Sequence, residues 1–156
     1  MVPVAIPLKP RRRGFTLVEI MIVVAIVGIL AALASTQWYE YRRRALKTKA
    51  ITVMSAIASA LNAELFENEE LPPNLAAIGM GNILDPWGNP YQYTNLHTAS
   101  KGKARKDRFL VPINSDFDLW SMGPDGKSVA PLTAKTSRDD IVRANDGGFY
   151  GWASDY

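Results

Sequence analysis

The stretch RRRGFTLVEIMIVVAIVGILAALA, residues 11–34, decides how the rest of this 156-residue chain is organised. From residue 15 to residue 34 only Thr16 and Glu19 are polar. That run is long enough for a helix of roughly 30 Å, about the thickness of the apolar part of a bilayer. A carboxylate such as Glu19 is costly in this setting and is usually functional. The stretch therefore predicts one membrane span that contains an acidic residue with a role.

The basic residues at the N-terminus predict the orientation of that span. The chain has 18 Lys and Arg against 15 Asp and Glu, and four of the basic residues are Lys9 and the arginines at residues 11–13. Basic residues ahead of a span place the N-terminus in the cytoplasm, so the remainder lies outside it. The rest of the chain has 14 basic and 15 acidic residues and is close to neutral. A secretory signal peptide cut at ALAS, residues 32–35, is the alternative.

The helix is expected to continue well beyond the span, because residues 36–68 contain neither Gly nor Pro. Apolar residues recur there at three- and four-residue spacing, as in an amphipathic helix. They are Leu46, Ala50, Val53, Ile57, Leu61 and Leu65. Consecutive prolines in ELPPN, residues 70–74, end the pattern. The sequence thus predicts a helix of roughly 80 Å, apolar all round in its first half and on one side in its second.

GFTLVEIMIVVAIVGILAALASTQWYEY, residues 14–41, resembles the N-terminus of type IV pilins and of the pseudopilins of type II secretion systems. The shared pattern is a basic leader ending in Gly, then Phe, then Glu at the fifth following position. The resemblance implies that a prepilin peptidase cuts between Gly14 and Phe15, and that the amine of Phe15 is methylated. It implies a leader at residues 1–14, a membrane and filament-core helix at 15–36, and a periplasmic domain at 37–156.

The same resemblance implies a role for Glu19, which would pair with the freed amine of Phe15 in a neighbouring subunit. Two charges that are poorly solvated alone become tolerable as a pair in apolar surroundings. The alternative is an interfacial Glu near one end of an ordinary anchor. Many type IV pilins have a proline where this chain has Thr36, so local melting of the helix is less expected here.

Beyond the prolines the sequence predicts a small antiparallel sheet, and with the long helix an α+β pilin fold. ILDPWGNPYQY, residues 83–93, reads as a turn leading into a strand, and RFLVPI (108–113) and DLWSM (118–122) as further strands. The C-terminal GGFYGWASDY, residues 147–156, is either an edge strand or an exposed tail. DPWGNPY resembles a stretch of the major pseudopilins.

Residues 114–127, NSDFDLWSMGPDGK, contain the remaining chemistry. Ca²⁺ takes six to eight oxygen ligands, which a folded-back acidic loop can supply, but the spacing does not match an EF-hand. Spacing alone therefore leaves open a calcium loop or a plain hairpin corner. DLWSMGPDG, with DDI at residues 139–141, resembles the calcium loop of the major pseudopilins. That resemblance implies Asp118 and Asp125 as ligands, with oxygens of Ser115 and Ser121 nearby, and a structural Ca²⁺ in a chain without cysteine.

The resemblance implies a structural protein and not an enzyme. It would be a major pseudopilin that polymerises into a periplasmic filament for type II secretion, with the inner-membrane assembly platform and minor pseudopilins as partners. Alternatives are a type IV pilin of surface fibres and a DNA-uptake pilin that uses the basic run at residues 101–108. A solvated loop is the simpler interpretation of that run, so a nucleic-acid partner is not expected.

Overall fold

The computed structural model describes residues 14–100 and 102–156, with the backbone alone at residues 34–36. Most of the predicted leader (residues 1–13) and Lys101 of the basic run therefore lie outside the described residues. The chain divides into two compact units, Met1–Tyr41 and Arg42–Tyr156.

A single helix, α1, spans Leu17–Asn68 and comprises 52 residues, as predicted. The helix continues through Gly28 and through residue 36, where many type IV pilins have a proline. In the first unit its large apolar side chains are exposed, from Leu17 to Leu33. Among the described residues this helix is long and apolar enough to cross a membrane. The predicted anchor therefore has the required length and composition.

The second half of α1 buries the predicted apolar stripe. Ala50, Ile57 and Leu61 are buried, Val53 and Leu65 are partly buried, and Met54 and Ala58 join them. The helix ends at Asn68, three residues before Leu71, and Glu69 adopts φ 58° ahead of the two prolines.

Four strands of the described residues form one antiparallel sheet in chain order, which confirms the α+β fold. They are β1 (Gln92–Asn95), β2 (Phe117–Ser121), β3 (Ile141–Ala144) and β4 (Phe149–Trp152). Successive residues of a strand point to opposite faces of the sheet, and each face has its own core. One core contains Phe117, Leu119 and Ile141 together with the helix residues of the stripe. The other contains Val142 and Ala144, with Ile113, Leu132 and Ala153 from the loops and the C-terminal segment.

The corner at residues 85–91 joins the helix to the sheet. The Asp85 carboxylate accepts hydrogen bonds from the backbone N–H groups of Trp87 and Asn89, at 3.0 and 2.8 Å. Tyr91 is buried and its hydroxyl donates to the Ala50 carbonyl of α1 at 3.2 Å. The DPWGNPY segment is therefore a tight turn whose aromatic residues fill the core.

Two details of the predicted sheet were wrong. RFLVPI is not a strand: Phe109, Leu110 and Val111 are exposed, and Asp107 holds this segment as a turn through backbone hydrogen bonds. The strand that sequence reasoning missed is β3, which is only four residues long and contains a buried arginine. The C-terminal segment forms β4, an edge strand, and so resolves the alternative left open.

Candidate functional site

The helix start is the first functional region, and it places Glu19 in a local hydrogen-bond pair. The backbone N–H and the Oγ1 hydroxyl of Thr16 donate to Glu19 Oε2 at 2.8 and 2.9 Å. The Glu19 N–H donates back to Thr16 Oγ1 at 3.2 Å. This reciprocal arrangement is a capping box, which satisfies N–H groups that have no partner within the helix. The TLVE spacing of residues 16–19 is the signal that would have predicted it.

The residues at the predicted cleavage site are accessible. Phe15 is 84% exposed, and Gly14 is also exposed just before the helix begins. A peptidase could therefore reach the bond between them without unfolding α1. The cleavage itself and the pairing of Glu19 with a neighbour's amine stay predictions.

The side chains of the four residues predicted to supply calcium ligands, Asp118 and Asp125 with hydroxyl or carbonyl oxygens of Ser115 and Ser121, have separate hydrogen-bond partners. Asp118 and Ser121 lie three residues apart in β2, so their side chains point to opposite faces of the sheet. Ser121 Oγ donates to Asp85 Oδ2 at 2.5 Å. Asp125 is exposed and accepts from the Lys127 N–H, while Ser115 Oγ donates to Asp146.

The surroundings of Asp118 also differ from those of a metal ligand. Asp118 is 1% exposed, and both of its oxygens accept hydrogen bonds, from the Arg105 N–H at 2.6 Å and from Asn114 Nδ2 at 2.8 Å. Among the described residues no group of three or more His, Cys, Asp or Glu is arranged to hold a metal. Asp118 and Asp125 are therefore not grouped with a third acidic or His side chain among the described residues. Calcium binding, with oxygens of Ser115 and Ser121 as further ligands, stays a prediction.

The buried cation beside Asp118 is the guanidinium of Arg105. Its side chain is 2% exposed, although residues 101–108 were interpreted as a solvated loop. It donates to the carboxylate of Asp140, to the Ser128 hydroxyl and, at 2.7 Å, to the Val129 carbonyl. The guanidinium also lies 4.9 Å from the centre of the Trp120 ring. Arg105 thus connects the loop before β2 with the segments that precede β3.

Burial dominates the electrostatics of this cluster. It raises the pKa of the Asp140 carboxyl to about 6, against the opposing attraction of Arg105 and the hydrogen bond from Ser128. It also raises the pKa of Asp118 and lowers that of the Arg105 guanidinium. Arg105 and Asp140 are therefore tolerated in the interior because they lie in direct contact, whereas either charge buried alone would be costly.

A second buried arginine, Arg143 of β3, lies on the opposite face of the sheet from Asp118. It donates to both oxygens of Asp116 at 2.8 and 2.7 Å and to the Phe117 carbonyl at 3.0 Å. Its guanidinium lies 4.0 Å from the centre of the Phe117 ring. Asn114 connects the two clusters, because its Nδ2 donates to Asp118 and to the Arg143 carbonyl. Sequence reasoning missed both arginines, since nothing local marks them as buried.

Comparison with known proteins agrees with this architecture. Residues 9–35 match the model of the prokaryotic N-terminal methylation motif. The type II secretion system core protein G of Pseudomonas aeruginosa is 36% identical over 140 residues, covering 76% of this chain and 88% of that protein. A fimbrial protein of Pseudomonas aeruginosa is 45% identical over 136 residues, covering 87% of this chain and 82% of that protein. No solved structure matches.

The exposed apolar helix start, the methylation motif and the domain packed on the second half of α1 define a filament-type structural protein with an N-terminal apolar helix. The chain belongs to the superfamily of type IV pilins and type II secretion pseudopilins.

Proposed function

We propose that the chain is a major pseudopilin, a structural subunit that polymerises into a periplasmic filament serving type II secretion. The observation that carries the proposal is the 140-residue similarity to a type II secretion system core protein G, which extends far beyond the methylation motif. The proteins of that name in Aeromonas hydrophila and Escherichia coli are 30% identical to the chain. The role is structural and involves no catalysis by this chain.

In this proposal the apolar half of α1 has two successive environments. Before assembly it spans the inner membrane, with the basic leader in the cytoplasm and the folded domain in the periplasm. After assembly it is buried among copies of itself, which removes the large exposed apolar surface from Phe15 to Leu33. The partners are the prepilin peptidase, the inner-membrane assembly platform and the minor pseudopilins.

We expect the mature protein, purified from membranes, to begin at N-methylated Phe15, as read by intact-mass and N-terminal peptide mass spectrometry. Gly14→Val should accumulate precursor, because the peptidase must accept the residue before the cut. Gly28→Val is the matched control, since a Cβ at Gly14 or at Gly28 meets no atom within 4 Å. A chain that keeps its leader, or that starts after residue 34 or 35, contradicts this processing.

A type IV pilin of surface fibres is the second candidate, favoured by the 45% identity to a fimbrial protein. A strain that lacks the chain separates the two functions. We expect it to lose extracellular enzyme secretion, to keep twitching motility and DNA uptake, and to recover secretion when the chain is supplied again. Loss of twitching with normal secretion would assign the chain to surface fibres, and loss of DNA uptake alone would assign it to DNA uptake.

A further inference from the structure

The turn at residues 107–111 presents an apolar surface to solvent, and we name residues 108–111 the apolar tip. Phe109, Leu110 and Val111 are 70%, 64% and 55% exposed. The turn is fixed, because Asp107 Oδ1 accepts from the N–H groups of Phe109 and Val111 at 2.8 and 2.9 Å. Leu110 adopts φ 61°, a conformation that is unfavourable for a branched side chain. Three adjacent exposed apolar residues on an ordered turn are typical of an interaction site.

Besides the buried Arg105, three basic residues lie in the tip or within five residues of it in the chain. Lys103 and Arg108 are exposed and Lys106 is half-buried. None of the three takes part in the ion pairs found among the described residues. Arg108 instead lies against the Phe109 ring, with its guanidinium carbon 4.9 Å from the ring centre. The tip is thus an apolar surface with three available cations.

The end of α1 has the opposite charge, and we name residues 66–70 the acidic helix end. Phe66 is 91% exposed on the last turn, although α1 has a buried face available to apolar residues. Glu67, Glu69 and Glu70 are exposed beside it, and they take no part in ion pairs among the described residues. This surface therefore combines one exposed aromatic ring with three unpaired carboxylates.

We propose that the apolar tip of one subunit binds the acidic helix end of a neighbouring copy in the filament. The two surfaces match in charge, three cations against three carboxylates, and each presents an exposed aromatic ring. Both surfaces are exposed in the single chain, so they do not cover each other within one subunit. A contact between two different surfaces of identical subunits builds an open helical filament when its rotation does not close into a ring. The inference rests on the proposed filament function.

Cross-linking tests the contact directly, because the chain contains no cysteine. We expect filaments of the double variant Phe66→Cys/Phe109→Cys, treated with a short bis-maleimide, to give a ladder of linked multimers on denaturing gels. Each single variant should remain monomeric, since like positions do not meet. Phe66→Cys/Val129→Cys is the matched control, with an exposed residue outside both surfaces, and should also give no ladder.

The outcomes distinguish this inference from the function on which it rests. Filaments that form normally and yet give no ladder overturn the contact and leave the filament function in place. Failure of the wild-type chain to form filaments overturns the proposed function, and the contact with it.

Charge reversal provides an independent measurement. Reversing the three glutamates to lysine, or Lys103, Lys106 and Arg108 to glutamate, should weaken assembly roughly tenfold, as expected for three exposed charge pairs. Combining both triple variants should restore filament yield, because the attraction is then re-formed with opposite signs. Normal assembly of either triple variant by itself would overturn the contact. If the reversed tip instead only loses binding to anionic lipid vesicles, the tip is a lipid-binding surface and not a subunit contact.

Discussion

Replacing Glu19 by Gln is expected to abolish filament assembly while leaving the start of α1 intact. Gln can occupy the same position of a capping box, so the hydrogen bonds with Thr16 are retained while the charge is lost. In the proposed filament the amine of Phe15 in a neighbouring subunit would then be buried without its partner. An unpaired buried charge costs several kcal/mol, enough to prevent the correct register. Filament yield in sheared-cell fractions, with leader cleavage measured in parallel, is the readout.

Thr16→Val is the matched control for this prediction. It removes the hydroxyl that donates to Glu19 and keeps the carboxylate. If the charge pairs between subunits, Thr16→Val should still assemble and Glu19→Gln should not. The reverse pattern would show that Glu19 acts through the local cap and would contradict the pairing role. Normal filaments from Glu19→Gln would contradict it equally.

Arg105→Met is expected to destabilise the folded domain by about 3–5 kcal/mol at pH 7, the usual cost of removing one partner of a buried ion pair. The side chain is 2% exposed, and its loss leaves Asp140, at 0% exposure, without a cation. The fragment Arg42–Tyr156, a compact unit by itself, is suited to urea unfolding followed by the fluorescence of its tryptophans, Trp87, Trp120 and Trp152. Arg108→Met removes an exposed arginine three residues away and should change stability by no more than about 0.5 kcal/mol.

The effect of Arg105→Met should depend on pH with a definite sign. The pKa of Asp140 is about 6 with Arg105 in place, and Arg105 is one of the groups that lower it. Without the guanidinium the pKa of Asp140 rises further. Asp140 of the variant therefore stays protonated over a pH range in which Asp140 of the wild type is already ionised. The destabilisation should therefore be smaller at pH 5, where Asp140 is protonated in both proteins, and should grow above pH 6. A pH-independent difference would mean that packing alone accounts for Arg105.

The same unfolding experiment tests the calcium prediction. Calcium that binds only the folded domain stabilises it by mass action, by about 2.7 kcal/mol at a hundredfold excess over the dissociation constant. A calcium-dependent increase in the free energy of unfolding that a chelator reverses would establish a site. If calcium does not change the stability of the wild-type domain, Arg105 remains the cation that balances Asp118 and Asp140.

The sequence by itself determined the long helix, its two halves, its end at the prolines, the processing motif and the presence of a small sheet. These features are local, since periodicity, a glycine before an apolar run and paired prolines act within a few residues of each other. The capping box of Thr16 and Glu19 was equally local and could have been predicted from the spacing of the two residues.

Only the tertiary structure decided the interior of the domain. Arg105 and Asp140 are 35 residues apart in the chain, and Arg143 and Asp116 are 27 apart, so no local pattern joins them. Successive side chains of β2 point to opposite faces, so Asp118 and Ser121, which the family resemblance had grouped in one calcium loop, point away from each other. RFLVPI, with its apolar residues, became an exposed turn because Asp107 binds its backbone and because both cores are filled by other segments. Charge burial and side-chain direction depend on which segments pack together, and packing is a property of the whole fold.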